Sequence, residues 1–195
     1  LTVIIIDGLN ERRARKQEKR RLIMQMASVN NGSALDAVRL LRLEGWLTDG
    51  SLAEEDFSGA DLQNADLSGS VLTGAKFVGA RLINTRFDKA ILDEIDLAKA
   101  DLTEARLSDC SMVGANLFSA RLDRTDLSYS KLDGAVLRNA HMQNADLSNA
   151  VLTGAALDNA DLSSVDLNGT QVSEQQLGSA RSLYGAKLPA SARET

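Results

Sequence analysis

The side chains that could carry acid–base or nucleophilic chemistry are few. The 195 residues contain one histidine, His141, and one cysteine, Cys110. A Ser-His-Asp arrangement would have to be built on His141, and no Cys/His cluster has the spacing of a zinc site. Carboxylates are abundant, but no pair has the two contrasting environments that acid and base roles require. No Gly-rich phosphate-binding loop occurs. The sequence therefore predicts no catalytic residue, no metal site and no cofactor.

The residues between Leu52 and Leu177 follow a five-residue period. Every fifth one is apolar without a break, and a small residue precedes almost every one by two positions. A period of five fits neither the 3.6 of an α-helix nor the 2 of a β-strand. We expect a solenoid in which one bulky and one small side chain of each unit point inward. The predicted core includes Leu62, Leu67, Leu72, Phe77, Leu82, Phe87, Leu102, Leu127, Leu147 and Leu162.

The period also assigns places to the residues that could be reactive. Cys110 falls in the column of small inward residues, where we expect a buried, inert thiol. His141 falls in an outward position. Ile95 is the one large residue in the small column, and we expect the coil to widen locally at that corner. Only 4% of the residues are aromatic, so the core should be mainly aliphatic.

Three segments carry the repeat in its clearest form: Ala60-Asp61-Leu62-Gln63-Asn64, Ala65-Asp66-Leu67-Ser68-Gly69 and Ala145-Asp146-Leu147-Ser148-Asn149. They resemble the A(D/N)LXX unit of the pentapeptide-repeat family, and the match extends over about two thirds of the chain. The resemblance implies an all-β solenoid, namely a right-handed, four-sided (quadrilateral) parallel β-helix. With four units per coil, residues 52–180 would form about 6.5 coils.

The open ends of a solenoid need capping elements. Residues 1–32 predict a basic helical segment, helical from about Leu9 to Ala27. Residues 33–51 predict a capping helix with Ser33 as its N-cap, followed by Trp46 as a plug on the end of the rod.

The C-terminal end has its own capping signals. Ser173 is a candidate N-cap for a short helix over residues 174–180. Residues 181–195 would form the terminal cap and tail, in which Leu183, Tyr184 and Leu188 should close the core.

The first residues combine an apolar run with a basic stretch. Residues 1–6 are too few to cross a bilayer, which takes about 20. Basic residues directly after an apolar run are nevertheless typical of the cytoplasmic flank of a membrane span, which predicts a span upstream of Leu1. The alternative is a solvated basic helix. The candidate membrane-proximal residues are Arg12, Arg13, Arg15, Lys16, Lys19, Arg20 and Arg21.

Charge divides the chain into distinct regions. Residues 1–51 carry nine Lys/Arg against six Asp/Glu, whereas residues 52–180 carry ten against twenty. In a four-sided coil, residues 20 apart stack on one another, which predicts a ladder of ion pairs along one outward column. That column contains Asp61, Arg81, Asp101, Arg121, His141 and Asp161.

Several apolar residues occupy outward positions, where a contiguous set would mark a contact surface for a protein partner or for self-association. These candidates are Val71, Ile91, Phe118, Tyr129 and Val151.

Three functions are compatible with this pattern. The first is a non-enzymatic scaffold that binds a protein partner at the cytoplasmic side of a membrane, held there by an upstream segment. The second is DNA mimicry, as in the pentapeptide-repeat proteins that protect DNA gyrase, since the rod is acidic. The third is the regulatory tail of an enzyme whose active part lies upstream. Direct nucleic-acid binding is not expected, because the basic stretch is short and has no interleaved aromatic residues.

Overall fold

The computed structural model describes residues 2–190, with side chains from residue 10 onward. Helix α1 spans Thr2–Met26 and helix α2 spans Asn31–Leu43. A β-helix follows, interrupted near its C-terminal end by the short helix α3, Glu174–Gly178.

The β-helix is held together by isolated parallel bridges of one residue per five-residue unit. From Asp56↔Lys76 to Val151↔Gln171, each bridge joins residues that lie 20 apart. Four units therefore complete one coil, and the coil has four faces. We number the faces by the bridge residues of one coil: Val71 on face 1, Lys76 on face 2, Arg81 on face 3 and Arg86 on face 4.

The unit around Leu82 shows how the backbone is satisfied. The Arg81 N–H donates to the preceding coil at 2.9 Å, while the N–H groups of Leu82 and Asn84 donate to the following coil at 2.7 and 3.0 Å. The Thr85 N–H closes the turn onto the Leu82 carbonyl at 3.1 Å. Of the five N–H groups in this unit, only that of Ile83, at the tip of the turn, lacks a backbone acceptor.

Each turn requires a left-handed residue directly after its tip. Asn84 has a φ of 56° and Tyr129 a φ of 59°, and sixteen non-glycine residues share this conformation. A positive φ at the third residue, with the first carbonyl bonded to the fourth N–H, is the geometry of a type II turn. None of the sixteen is β-branched, because Val, Ile and Thr are the residues that tolerate this conformation least.

The core is a column of aliphatic side chains along the axis. The ten residues predicted to fill it are all fully buried. Where Thr replaces Ala in the small column, its hydroxyl donates to a carbonyl of the preceding coil, as Thr125 does to Leu102 at 2.8 Å. Ile95 is also fully buried, and its N–H keeps the turn bond to Leu92 at 3.2 Å. This bond therefore gives no sign of the widened corner that the sequence predicted. The small side chains of Ala75 and Ala115, in the coils before and after, leave room for the larger Ile95 side chain.

Helix α2 covers the first coil and replaces the hydrogen bonds of an absent preceding coil. On face 3, the Asn31 amide donates to the carbonyls of Asp61 at 3.2 Å and Gln63 at 3.1 Å. On face 4, the Arg42 guanidinium donates to the carbonyls of Asp66 at 2.6 Å and Ser68 at 3.3 Å. Farther along the rod, the equivalent carbonyls accept backbone N–H groups of the preceding coil. Two side chains thus satisfy the exposed edge of the β-helix.

The helix boundaries at this end differ from the prediction. Helix α2 begins at Asn31, within the segment assigned to the basic helix, and Ser33 is not its N-cap. Asn30 caps the helix instead, because its Oδ1 accepts the Ser33 N–H at 3.0 Å. Trp46 is only 6% exposed on the end of the rod, as the plug interpretation expects.

The C-terminal end contains an offset that the period did not predict. Ser173 caps α3: its side chain accepts the Gln176 N–H, and the Gln176 side chain accepts the Ser173 N–H. After α3 the bridges join residues 21 apart, Asp161↔Ser182 and Asp166↔Lys187. The spacing is 21 because the coil that contains α3 is one residue longer than a normal coil. The bridges at Ser182 and Lys187 also show that coil structure continues past the expected boundary at residue 180.

Closure of this end also differs from expectation. Leu177 is buried and Leu183 and Leu188 are partly buried against the core, whereas Tyr184 is 85% exposed and closes nothing. Residues 191–195 of the predicted tail lie outside the described residues.

Replacing Arg42 with Ala should destabilise the protein by about 1–2 kcal/mol, since two edge carbonyls lose a charged donor. Urea denaturation followed by far-UV circular dichroism measures the effect. Arg39→Ala, an exposed change on the same helix, should stay within about 0.5 kcal/mol of the wild type. Equal midpoints for the two variants would show that the cap contributes nothing.

Candidate interaction surface

The acidic residues of the rod have a structural function at the tip of each turn. Whenever Asp or Asn occupies the bridge position of a unit in residues 56–171, its side chain accepts the N–H two residues ahead, the one without a backbone acceptor. Asp126, for example, accepts the Ser128 N–H at 3.0 Å and its hydroxyl at 2.6 Å. This is an Asx turn. The residues that make it are Asp56, Asp61, Asp66, Asp96, Asp101, Asn116, Asp126, Asp146, Asp161 and Asp166.

These turns account for much of the charge of the rod. Nine of the twenty Asp and Glu residues between 52 and 180 are Asx-turn acceptors. The sequence showed the preference for Asp in this position but not its cause, because the free N–H becomes visible only when the bonds between coils are known.

The predicted ladder of ion pairs on face 3 is only partly formed. Arg81 reaches Asp61 at 3.2 Å near one end, and Arg181 reaches Asp161 at 2.8 Å at the other. In the middle, Asp101 accepts from the Thr103 hydroxyl at 2.6 Å and forms no ion pair among the described residues. Asp61 and Asp161 also bond to their own turns, so the Asx turn and an ion pair across coils can coexist on one carboxylate.

Asp161 is the most strongly held carboxylate of the rod. The Ser163 hydroxyl donates to it at 2.6 Å, the Gln143 amide at 2.9 Å and the Arg181 guanidinium at 2.8 Å. The Ser163 hydroxyl, assisted by the other two donors, holds the pKa of Asp161 well below its usual range, although burial acts in the opposite direction. The charged form of this side chain therefore stabilises the C-terminal end of the rod.

The candidate contact residues do not form one patch. Val71 and Ile91 form a bridge on face 1, where Ile91 is 42% exposed. Val151 lies on the same face, but Ser111 and Lys131 separate it from Ile91.

The two aromatic candidates lie on other parts of the rod. Phe118 lies on face 2, and Tyr129, which is 62% exposed, lies at the corner after face 4. Val113, on face 1 one coil beyond Ile91, is a further exposed apolar residue that the initial set omitted.

The seven basic residues of α1 divide into two groups. Arg15 pairs with Glu44 at 3.1 Å, Lys19 with Asp49 at 2.6 Å and Arg20 with Glu55 at 3.2 Å. Arg21 pairs with Glu18 one turn earlier on α1. The pairs of Arg15, Lys19 and Arg20 fasten the helix to the cap and the first coil, a function that the charge pattern alone did not reveal.

Three basic residues form the second group: Arg12, Arg13 and Lys16. They form no ion pair within the described part of the chain and are exposed. Of the seven candidates, these three retain charges that a ligand could meet.

A groove of about 520 Å³ lies between α1 and the end of the rod. Ile23 and Trp46 supply its apolar lining. Arg15 lies 5.6 Å and Lys19 5.2 Å from the centre of the Trp46 ring, within the range of cation–π contacts. Five of the nine lining residues are basic and one, Glu55, is acidic.

The single histidine and cysteine lie apart. His141 is exposed on face 3 between Arg121 and Asp161. Cys110 is buried, and burial raises the pKa of its thiol to about 12, which keeps the thiol protonated and unreactive.

Metal-binding clusters and membrane-spanning helices are both absent from the described residues. No group of three or more His, Cys, Asp or Glu side chains is arranged to hold a metal ion. None of the helices described in residues 2–190 has the length and hydropathy needed to cross a membrane.

Asp126→Ala should destabilise the rod by about 1 kcal/mol, comparable to the loss of a helix N-cap, because the tip N–H loses its acceptor. Asp126→Asn keeps that acceptor and should remain within about 0.5 kcal/mol of the wild type. Urea midpoints measure both, with Asp133→Ala on face 1 as the neutral control. Equal losses for the Ala and Asn variants would mean that charge, not the Asx turn, matters at this position.

Stability should fall in acid partly through Asp161. Because the folded state lowers its pKa, Asp161 contributes stability above the usual Asp pKa of about 3.9, and this contribution is lost as the pH falls below that value. The difference in unfolding free energy between the wild type and Asp161→Asn should therefore be largest near pH 6 and shrink toward pH 3. A difference that does not change with pH would exclude this contribution.

Comparison with known proteins agrees with the coil geometry. The sequence model for pentapeptide repeats matches in eight copies, over residues 56–93, 80–117, 95–132 and 130–169. No curated protein sequence matches the chain.

Solved structures resemble the chain at low sequence identity. Trypsin-treated QnrB1, a plasmid-mediated fluoroquinolone resistance protein, is 19% identical, with 72% of this chain and 84% of that chain covered and a TM-score of 0.47. A pentapeptide repeat protein from the Arabidopsis thaliana thylakoid lumen is 26% identical over 67% of this chain and 74% of that one, with a TM-score of 0.25. These scores add nothing to the functional argument. The repeat match, however, covers more than half of the residues. The chain therefore belongs to the pentapeptide-repeat family, whose right-handed quadrilateral β-helix has the same four-sided coil.

Proposed function

We propose that this protein is a non-enzymatic scaffold that binds a partner protein on the outer faces of its rod. The observation that carries the proposal is the row of outward apolar side chains on face 1, namely Val71, Ile91 and Val113, on a rod whose core is already filled. Ile91, Val113, Phe118 and Tyr129 contribute nothing to that core and expose apolar area to water. Burying such area against a partner is favourable by roughly 25 cal/mol per Å².

The backbone of the rod supports this function. Four of the five N–H groups in the unit around Leu82 are bonded within the β-helix, and Asp or Asn side chains satisfy the fifth in many other units. A surface held in this way presents its side chains at fixed positions, so less conformational entropy is lost on binding.

We further propose that a segment upstream of Leu1 tethers the scaffold at the cytoplasmic face of a membrane. The apolar run of residues 1–6 supports this part of the proposal. So do Arg12, Arg13 and Lys16, which form no ion pair in the described part of the chain. The acidic rod would be repelled from anionic headgroups and would point toward the cytoplasm. Residue 1 and the side chains of residues 2–9 lie outside the described residues.

Photo-cross-linking tests the partner surface. A benzoylphenylalanine in place of Ile91, on face 1, should give a discrete protein adduct in cells of the source organism. The same group in place of Asn139, an exposed corner residue, serves as the matched control and should give none. The proposal is contradicted if both positions give the same adducts.

Membrane extraction tests the tether. The protein extended through its native upstream sequence should resist both high salt and carbonate when bound to liposomes. Release of the extended form by either wash would show that no upstream span holds it.

One feature favours the alternative of DNA mimicry. Asp126, Asp146 and Asp166 stack directly on face 4, which gives a line of negative charge along the rod. Arg86 and Arg106 occupy the same column, however, and the three carboxylates also serve their own turns.

A gyrase supercoiling assay with a quinolone tests this alternative. If the rod mimics DNA, the protein should protect the enzyme, and Asp126→Asn with Asp146→Asn should reduce protection while the fold is retained. No protection by the wild type would remove the alternative.

A further inference from the structure

The structure distinguishes two functions within one basic helix. Arg15, Lys19 and Arg20 neutralise acids of the cap and the first coil, and thereby fix α1 beside the rod. Arg12 and Lys16, one helical turn apart on α1, line the same groove and have no ion-pair partner among the described residues. The lining of the groove thus combines neutralised cations with two, Arg12 and Lys16, that form no ion pair among the described residues.

The groove also has an apolar lining. Ile23 and Trp46 are buried within it, and Met24 is exposed next to Arg20 on the neighbouring surface of α1. An anion that carries an apolar part complements this combination better than a fully hydrated ion does, because the ring and the methylene stems of the cations can cover that part. Phospholipid headgroups at a membrane surface have this chemistry.

We propose that the groove between α1 and the rod end binds the headgroup of an anionic phospholipid. Its phosphate lies between Arg12 and Lys16, and its glyceryl portion lies toward Ile23 and Trp46. Arg13, on the adjacent side of α1, meets neighbouring headgroups. The site needs no membrane-spanning segment, but it rests on the proposed function in placing α1 at a membrane.

The charge balance of the chain favours this occupant. Five consecutive residues of α1 hold three cations that form no ion pair among the described residues: Arg12, Arg13 and Lys16. Residues 52–180, in contrast, carry ten Lys/Arg against twenty Asp/Glu. Each cation near the surface of an anionic bilayer raises the membrane-binding constant about fivefold. A membrane would therefore meet α1 first and be repelled by the rod.

Trp46 makes the site directly observable, since it is the only tryptophan of the chain. The 195-residue protein should bind vesicles of phosphatidylglycerol and phosphatidylcholine mixed in equal parts, measured by co-sedimentation. Trp46 emission should change in parallel. Binding should weaken as NaCl is raised from 0.1 to 0.5 M, because salt screens exposed charges.

Matched variants locate the interaction. The double variant Arg12→Gln/Lys16→Gln should bind these vesicles on the order of 30-fold more weakly, from a fivefold loss for each cation. It should keep the wild-type circular dichroism spectrum, since both residues are exposed and form no ion pair with the side chains that the structure describes. Lys99→Gln, an exposed change on the rod, should bind like the wild type.

Four results would overturn the proposal. The first is that the double variant binds the vesicles with wild-type affinity, and the second is that the wild type binds pure phosphatidylcholine vesicles equally well. The third is that the wild type binds vesicles without a change in Trp46 emission. The fourth is that Trp46 emission responds saturably to inorganic phosphate while the protein does not bind vesicles. A concentration-dependent dimer that the double variant loses, in the absence of vesicle binding, would assign the cations to the acidic rod of a second copy instead.

The two membrane proposals fail separately. If the extended protein resists salt and carbonate but Arg12→Gln/Lys16→Gln does not alter vesicle binding by the 195-residue chain, the tether stands and the headgroup site does not. If the 195-residue chain binds anionic vesicles through Arg12 and Lys16 while salt or carbonate releases the extended form, the site stands without the tether.

Discussion

The hydrogen bonds between successive coils are the constraint on which the rest of the structure depends. They join residues 20 apart and leave one backbone N–H per unit free at the tip of the turn. Because buried backbone groups need partners, each coil requires a neighbour or a substitute for one. At the N-terminal end, Asn31 and Arg42 of α2 provide that substitute on two faces. Ion pairs of Arg15, Lys19 and Arg20 then hold α1 beside the cap and the first coil.

Charge in this protein is therefore first a consequence of backbone geometry. Many of the rod's carboxylates serve as acceptors for the free N–H, and several cations of α1 are neutralised by the cap that they hold. Net charge alone would overstate both the acidity available for mimicking DNA and the basic surface available for a membrane. Arg12 and Lys16 in the α1 groove and the apolar side chains on the outer faces have no such structural function. The functional proposals therefore rest on them.

Much of the fold could be predicted from the five-residue period. The inward column and the buried Cys110 follow from sequence spacing, because each unit repeats the same local chemistry. The period could not predict the start of α2 at Asn31, the one-residue offset after α3 or the exposure of Tyr184. Those features depend on how non-repeating segments meet the ends of the rod. The separation of Phe118 from Tyr129, and of Arg12 from its paired neighbours, likewise required the positions of the faces and of the cap.

Amide hydrogen exchange by NMR tests the central claim most directly, because it reports each backbone N–H separately. In the unit around Leu122, the amides of Leu122, Arg124 and Thr125 should exchange slowly, and that of Asp123, at the tip, should exchange much faster. The same pattern should recur in the other units whose tip N–H has no side-chain acceptor, whereas a tip N–H held in an Asx turn, such as that of Ser128, should exchange more slowly than that of Asp123. Uniform protection across the unit, or rapid exchange of all of these amides, would contradict the account of bonds between coils as the basis of the fold.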